Sequence, residues 1–158
     1  MNILVIADSN GRSWGVLHPI PKTWVVYSFP GAKLHDADRL LHTHKDVLNF
    51  VSKTVVCVGV NDRTESTAAT LAKIRSIDSW ANRANKAALF MGIPPFPNLP
   101  REEQENIDRI NTQARDVFGD KYVHPIEQEW IVTVGNDPIH YTLATALKMM
   151  DHLAHRLN

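Results

Sequence analysis

The chain is poor in the features that mark several large protein classes. It holds a single cysteine in 158 residues, which excludes an internal disulfide framework and a Cys-rich zinc site. Its 17 Lys plus Arg are balanced by 17 Asp plus Glu, so neither sign of charge is in excess. That balance excludes a general electrostatic grip on nucleic acid or on an anionic membrane, though not a local patch. No apolar run approaches the roughly 20 residues needed to span a bilayer. The Met1–Ala7 stretch is apolar, but no basic region precedes it and no small-residue cleavage pattern follows, so it reads as a strand and not a signal peptide. The expected compartment is therefore cytoplasmic by default, and delivery within a larger particle is compatible with it. Repeats, low-complexity tracts and linkers are also missing, and the length suits one domain over residues 1–158. What is present is ordinary for a globular protein: 44% hydrophobic and 22% charged residues.

Five short apolar runs rich in β-branched residues punctuate the chain: Ile3–Ala7, Trp24–Ser28, Thr54–Val60, Ala87–Met91 and, more weakly, Tyr122–Ile126. Near-continuous apolarity over such lengths predicts strands covered on both faces, as in a parallel sheet. The sole cysteine, Cys57, lies in one of these runs and is expected to be buried. Helical spacing fills the gaps, over Asp36–Phe50, Glu65–Asn85, Arg101–Phe118 and Pro138–Leu157. Strands alternating with helices predict an α/β chain, a three-layer α/β/α sandwich around a mostly parallel five-stranded sheet. The Pro-rich stretch Pro94–Pro100 reads as a stiff loop after the fourth strand. In such sheets ligands bind beyond the carboxyl ends of the strands.

Chemistry-bearing residues fall at those ends. Asp8–Ser9 follows the first run, Gly31 the second, Asn61–Asp62 the third, and Asp137–Pro138–Ile139–His140 precedes the final helical pattern. Singly, each is an ordinary turn or cap residue. Together they suit acyl transfer. A serine hydroxyl needs a base within hydrogen-bond reach, and His140 is a candidate. Asp137, three residues earlier, is placed to orient the imidazole, or to cap a helix with Pro138 at its first position. The amides of Ser9 and Gly31 and the side chain of Asn61 offer three donors for an oxyanion.

These residues resemble the SGNH hydrolases, the GDSL esterase/lipase family. The matched motifs read Ala7–Asp8–Ser9, Gly31, Gly59–Val60–Asn61–Asp62 and Asp137–Pro138–Ile139–His140, from the first strand to the last helix. The last two match fully; in the first, alanine stands where the family has glycine, and alanine is strained wherever φ is positive. The resemblance implies a flavodoxin-like sandwich and cofactor-free, metal-free hydrolysis of carboxylic esters, often acetyl or short acyl esters of glycans, lipids or small metabolites. It implies Ser9 as nucleophile, His140 as base, Asp137 as its orienting acid, and Ser9, Gly31 and Asn61 as the oxyanion hole. It leaves the oligomeric state open.

Several rivals compete with this reading. Gly11–Arg12–Ser13–Trp14–Gly15 spells the G-x-S-x-G of a nucleophile elbow, but Ser13 lies several residues past the strand. His35, His42 and His44 lack metal-ligand spacing. G-x-G-x-x-G is absent after the first strand, against a dinucleotide site. A flavodoxin-like phosphate or FMN binder would use the polar Ser9–Ser13 loop and leave Asp137 and His140 unexplained. A non-catalytic ligand-binding module on the same fold is the other alternative, with Ala7 its only hint. Trp14, Phe96 and Tyr141 are candidates for the wall of a substrate site.

Overall fold

The computed structural model describes residues 2–14, 23–83 and 87–157. Five strands form one parallel sheet: β1 (Asn2–Ala7), β2 (Trp24–Ser28), β3 (Val51–Cys57), β4 (Ala87–Met91) and β5 (Tyr122–Val123). Their spatial order is β2-β1-β3-β4-β5, with every neighbouring pair parallel. The run of buried residues along β1 and the adjacent pair Val55 and Val56 show why the sequence lacks a period of two there: both faces of the sheet are covered. Among the described residues, four helices do the covering: α1 (Leu34–Thr43), α2 (Thr67–Arg83), α3 (Arg101–Phe118) and α4 (Leu143–Leu157). Helices α1, α2 and α3 pack side by side, as right-handed crossovers in one direction along the sheet require. Helix α4 meets the turn after β1. The α/β architecture predicted from strand–helix alternation is the one observed.

Several boundaries differ from the sequence reading. The third strand starts earlier and stops at Cys57, because Val58 and Val60 are buried in the loop beyond it rather than in the sheet. Only Tyr122–Val123 of the fifth run pairs, since Pro125 brings no N–H to a ladder. The helix at 34–43 ends at Thr43 and a 3₁₀ segment, Lys45–Phe50, completes the connection. The last helix begins at Leu143, not Pro138.

The stretch before that helix is a short hairpin. Thr142 N donates to Val132 O (2.8 Å) and Val134 N to His140 O (2.9 Å), around a bridge between Thr133 and Tyr141. Asp137 and His140 therefore sit at a hairpin tip. Cys57, expected to be buried, is partly exposed, with Sγ 3.8 Å from Met91 Sδ.

Candidate active site

The order 2-1-3-4-5 reverses direction between β1 and β3, the point at which an open α/β sheet leaves a crevice. Ser9 leaves β1 into a 3₁₀ turn, Ser9–Ser13. Asp8 starts that turn, its carboxylate accepting the Asn10 N–H at 2.9 Å. Ser28 Oγ and the Phe29 N–H bind Asp8 O and Ala7 O, fastening the end of β2 to the same turn. Ser13 lies at the far end of the 3₁₀ segment, so the backbone makes no strand-to-helix elbow there, and Gly15 falls outside the described residues.

Ala7 is the last residue of β1, paired in regular register with Ser28 and Cys57. Its backbone is ordinary strand, so alanine introduces no strain. The space its methyl occupies comes from Gly11, where an added Cβ would run into the Ala7 Cβ. Small residues at 7 and 11 share one volume.

The hairpin brings its tip onto Ser9. Ser9 Oγ lies 2.8 Å from His140 Nε2, and His140 Nδ1 lies 2.6 Å from Asp137 Oδ2. The other Asp137 oxygen accepts the Ile139 and His140 N–H groups, each at 2.9 Å. Those two backbone donors, Ile139 first, and then the imidazole hold the Asp137 carboxyl down at about 2. Asp137 is thus ionised across the ordinary pH range. The cap reading of Asp137 is corrected: the carboxylate closes its own turn and α4 begins further on, at Leu143.

The donors expected for an oxyanion stand on the three neighbouring strand ends. Gly31 has φ +71°, a left-handed conformation that suits glycine. Gly59 has φ +135°, and a side chain there would strike Ile93. Among the described residues the Ser9 and Gly31 amides donate to no protein acceptor. Asn61 Nδ2 donates one hydrogen to Ala32 O at 3.0 Å, tying the Gly31 loop to the end of β3. A primary amide has a second hydrogen to give. Its neighbour Asp62 has a different job: Oδ2 accepts the Leu34 N–H at the start of α1.

Trp14, Phe96 and Tyr141 do not form an exposed wall. They are 2%, 1% and 7% exposed and pack beneath the site, Phe96 stacked on Tyr141 at 5.3 Å. Trp14 and Tyr141 line a small cavity below the site together with Asp8 and Asn10. His42 packs against Trp80, and among the described residues no three His, Cys, Asp or Glu side chains converge as metal ligands would. No helix among them is long and apolar enough to cross a membrane. Asn10, which the sequence alone does not single out, touches the His140 segment on both sides.

Burial pushes the Asp8 carboxyl up from 3.8 to about 6, with the Asn10 N–H opposing that rise. The folded state therefore holds this proton more tightly than the unfolded chain. Asp8 favours folding most below about 4, and the benefit fades as pH climbs to about 6. Asp8→Asn keeps an acceptor for Asn10 and removes the charge. Denaturant melts of that variant are expected to show a shallower fall in stability between pH 4 and 6, with higher stability than wild type at pH 7. An unchanged slope would mean that Asp8 is solvated.

The three-dimensional comparison decides the fold. A putative SGNH hydrolase from Slackia heliotrinireducens superposes with a TM-score of 0.72 at 14% identity, over 100% of this chain and 99% of that one. The chain has the SGNH hydrolase fold. The acetyl xylan esterase AlAXEase shares this fold at TM-score 0.79 and 12% identity, with 100% of both chains covered. So does the psychrotrophic esterase EstA from Pseudoalteromonas sp., at 0.76 and 14%, over 99% of this chain and 96% of that one. That EstA structure is one inhibited by monoethylphosphonate. No protein-family model and no curated sequence matches the chain. The SGNH fold therefore stands on the backbone.

Proposed function

We propose that the protein is a serine esterase acting on acetyl or other short acyl esters of a glycan, a lipid or a small metabolite. The observation that carries the proposal is the continuous chain from Ser9 Oγ through His140 to Asp137, at 2.8 and 2.6 Å. An ionised Asp137 accepts the Nδ1–H, which leaves the Nε2 lone pair facing the Ser9 hydroxyl. Ser9 Oγ attacks the ester carbonyl while its proton passes to Nε2. The Ser9 and Gly31 amides and the free Asn61 hydrogen stabilise the oxyanion. On collapse the bond to the alcohol oxygen breaks, and His140 returns the proton to the leaving alcohol. Water then attacks the acyl-enzyme by the same route, giving the acid and regenerating Ser9.

The substrate class is argued from exposure and from likeness. The His140 and Asp137 side chains are 45% and 37% exposed, so the site is shallow and alcohols of different size can reach it. Solved proteins of the same fold include enzymes named as acetyl xylan esterases. The test is labelling with a fluorophosphonate probe at neutral pH, followed by peptide mapping. The expected adduct is on Ser9. An adduct on Ser13, or none on folded protein, overturns the proposal.

Asn61 gives a second check. Its hydrogen acts on charge that develops only in the transition state. Asn61→Ala is expected to lower kcat on p-nitrophenyl acetate by about 10²–10³-fold with KM changed by less than threefold. Loss of the Ala32 bond costs stability of about 1 kcal/mol. An effect confined to KM would reassign Asn61 to ground-state binding.

A further inference from the structure

The catalytic relay described above has a gap in its support. Asp137 fixes the imidazole, but only relative to the turn that both residues share. The hairpin that carries this turn is bonded to itself and, through Thr145 Oγ1, to Val132 N and Trp130 O. None of these bonds reaches the end of β1. Among the described residues, the polar ties between hairpin and nucleophile turn are the Ser9–His140 bond itself and two bonds from one side chain, that of Asn10.

Asn10 is 9% exposed. Its Nδ2 donates to Ile139 O at 2.9 Å, and its Oδ1 accepts the Tyr141 N–H at 3.0 Å. The two partners flank His140. Asn10's own N–H is spent on Asp8, which holds its backbone in the 3₁₀ turn beside Ser9. Both of the amide's functions are needed, one donor and one acceptor, and asparagine offers that pair at every pH, whereas an aspartate of the same length does so only when protonated. We propose that Asn10 is a positioning residue: it clamps the backbone on either side of His140 and so sets the distance from Nε2 to Ser9 Oγ. The inference rests on the esterase reading and adds a residue that acts through the base rather than on substrate. Displacing a reacting group by about 1 Å costs on the order of 10²-fold in rate.

The test compares three variants on p-nitrophenyl acetate. Asn10→Ala removes both bonds and is expected to lower kcat by about 10²-fold with KM within about twofold of wild type. Gln113→Ala is the control for lost stability. Gln113 is also 9% exposed, and its amide likewise both donates and accepts, to Thr67 O and from Thr70 Oγ1, between α2 and α3. It should lower the melting temperature comparably and leave kcat within about twofold.

Asn10→Asp supplies the signature a merely structural role would not give. Protonated, the introduced carboxyl can donate to Ile139 O and accept from Tyr141 N; ionised, it opposes Ile139 O. Its kcat should therefore fall as the pH rises, where wild type does not. Equal kcat losses in Asn10→Ala and Gln113→Ala, a loss in KM alone, or an Asn10→Asp profile parallel to wild type would each overturn the clamp. Failure of the esterase reading shows separately, as unlabelled Ser9 in folded wild-type protein. Hydrogen exchange at the Tyr141 amide then decides the clamp: at least tenfold loss of protection in Asn10→Ala, relative to Gln113→Ala, supports it, and unchanged protection overturns it.

Discussion

Ser9→Ala is expected to remove ester turnover and fluorophosphonate labelling together, by about 10⁴-fold or more, while folding stability moves by less than about 0.5 kcal/mol. Ser9 is only partly buried, and the bond its hydroxyl makes is to His140. The turn it occupies is set by neighbours: Asp8 binds the Asn10 N–H, and Ser28 binds Asp8 O. Alanine keeps every one of those bonds. A rate measurement on p-nitrophenyl acetate paired with a thermal melt checks both halves. Turnover retained in the alanine variant would remove Ser9 from the mechanism. A melt displaced by many degrees would instead make Ser9 a structural residue.

The second large effect belongs to Asp137→Asn, which is expected to reduce kcat by about 10⁴-fold with little change in the fold. An asparagine carbonyl can still accept the Ile139 and His140 N–H groups that close the turn. Its amide nitrogen then faces His140 Nδ1 in place of Oδ2. That nitrogen donates, so Nδ1 must accept and the ring proton moves to Nε2. A protonated Nε2 points a hydrogen at Ser9 and can take none from it. The geometry survives and the tautomer is wrong. Steady-state kinetics with ¹⁵N spectra of the imidazole would show the rate loss and the tautomer together. A variant with kcat within tenfold of wild type would mean that Asp137 serves the turn and not the base.

The fold was legible from the sequence because a doubly covered parallel sheet leaves a strong trace. Val55 and Val56 are both buried, so their strand reads as a continuous apolar run. The same trace misled at the carboxyl end of β3, where Val58 and Val60 continue the run but belong to the loop beneath the site. The helix boundary before α4 failed for a related reason. Ile139 falls at helical distance from Leu143, yet it lies in the hairpin. Local spacing cannot tell the two apart when the decisive bonds run to Val132 and to Asn10.

The meeting of Ser9, His140 and Asp137 was legible because a serine just past a strand and an aspartate three residues before a histidine are chemically uncommon together. Asn10 was not, because its partners lie 129 and 131 residues away and asparagine in a turn is unremarked. The depth of Trp14, Phe96 and Tyr141 was not legible, because aromatic residues carry no sign of which way they face.

The separation of Ser9 from His140 also has a temporal meaning. Synthesis proceeds from β1 toward α4 at about 5–20 residues per second. All five strands have been made once Val123 is added, and the nucleophile turn has its Asp8, Ser28 and Gly31 neighbours by then. His140 has not yet been made. On the proposed mechanism, Ser9 therefore has no base until residues 137–140 have been made and the hairpin has docked.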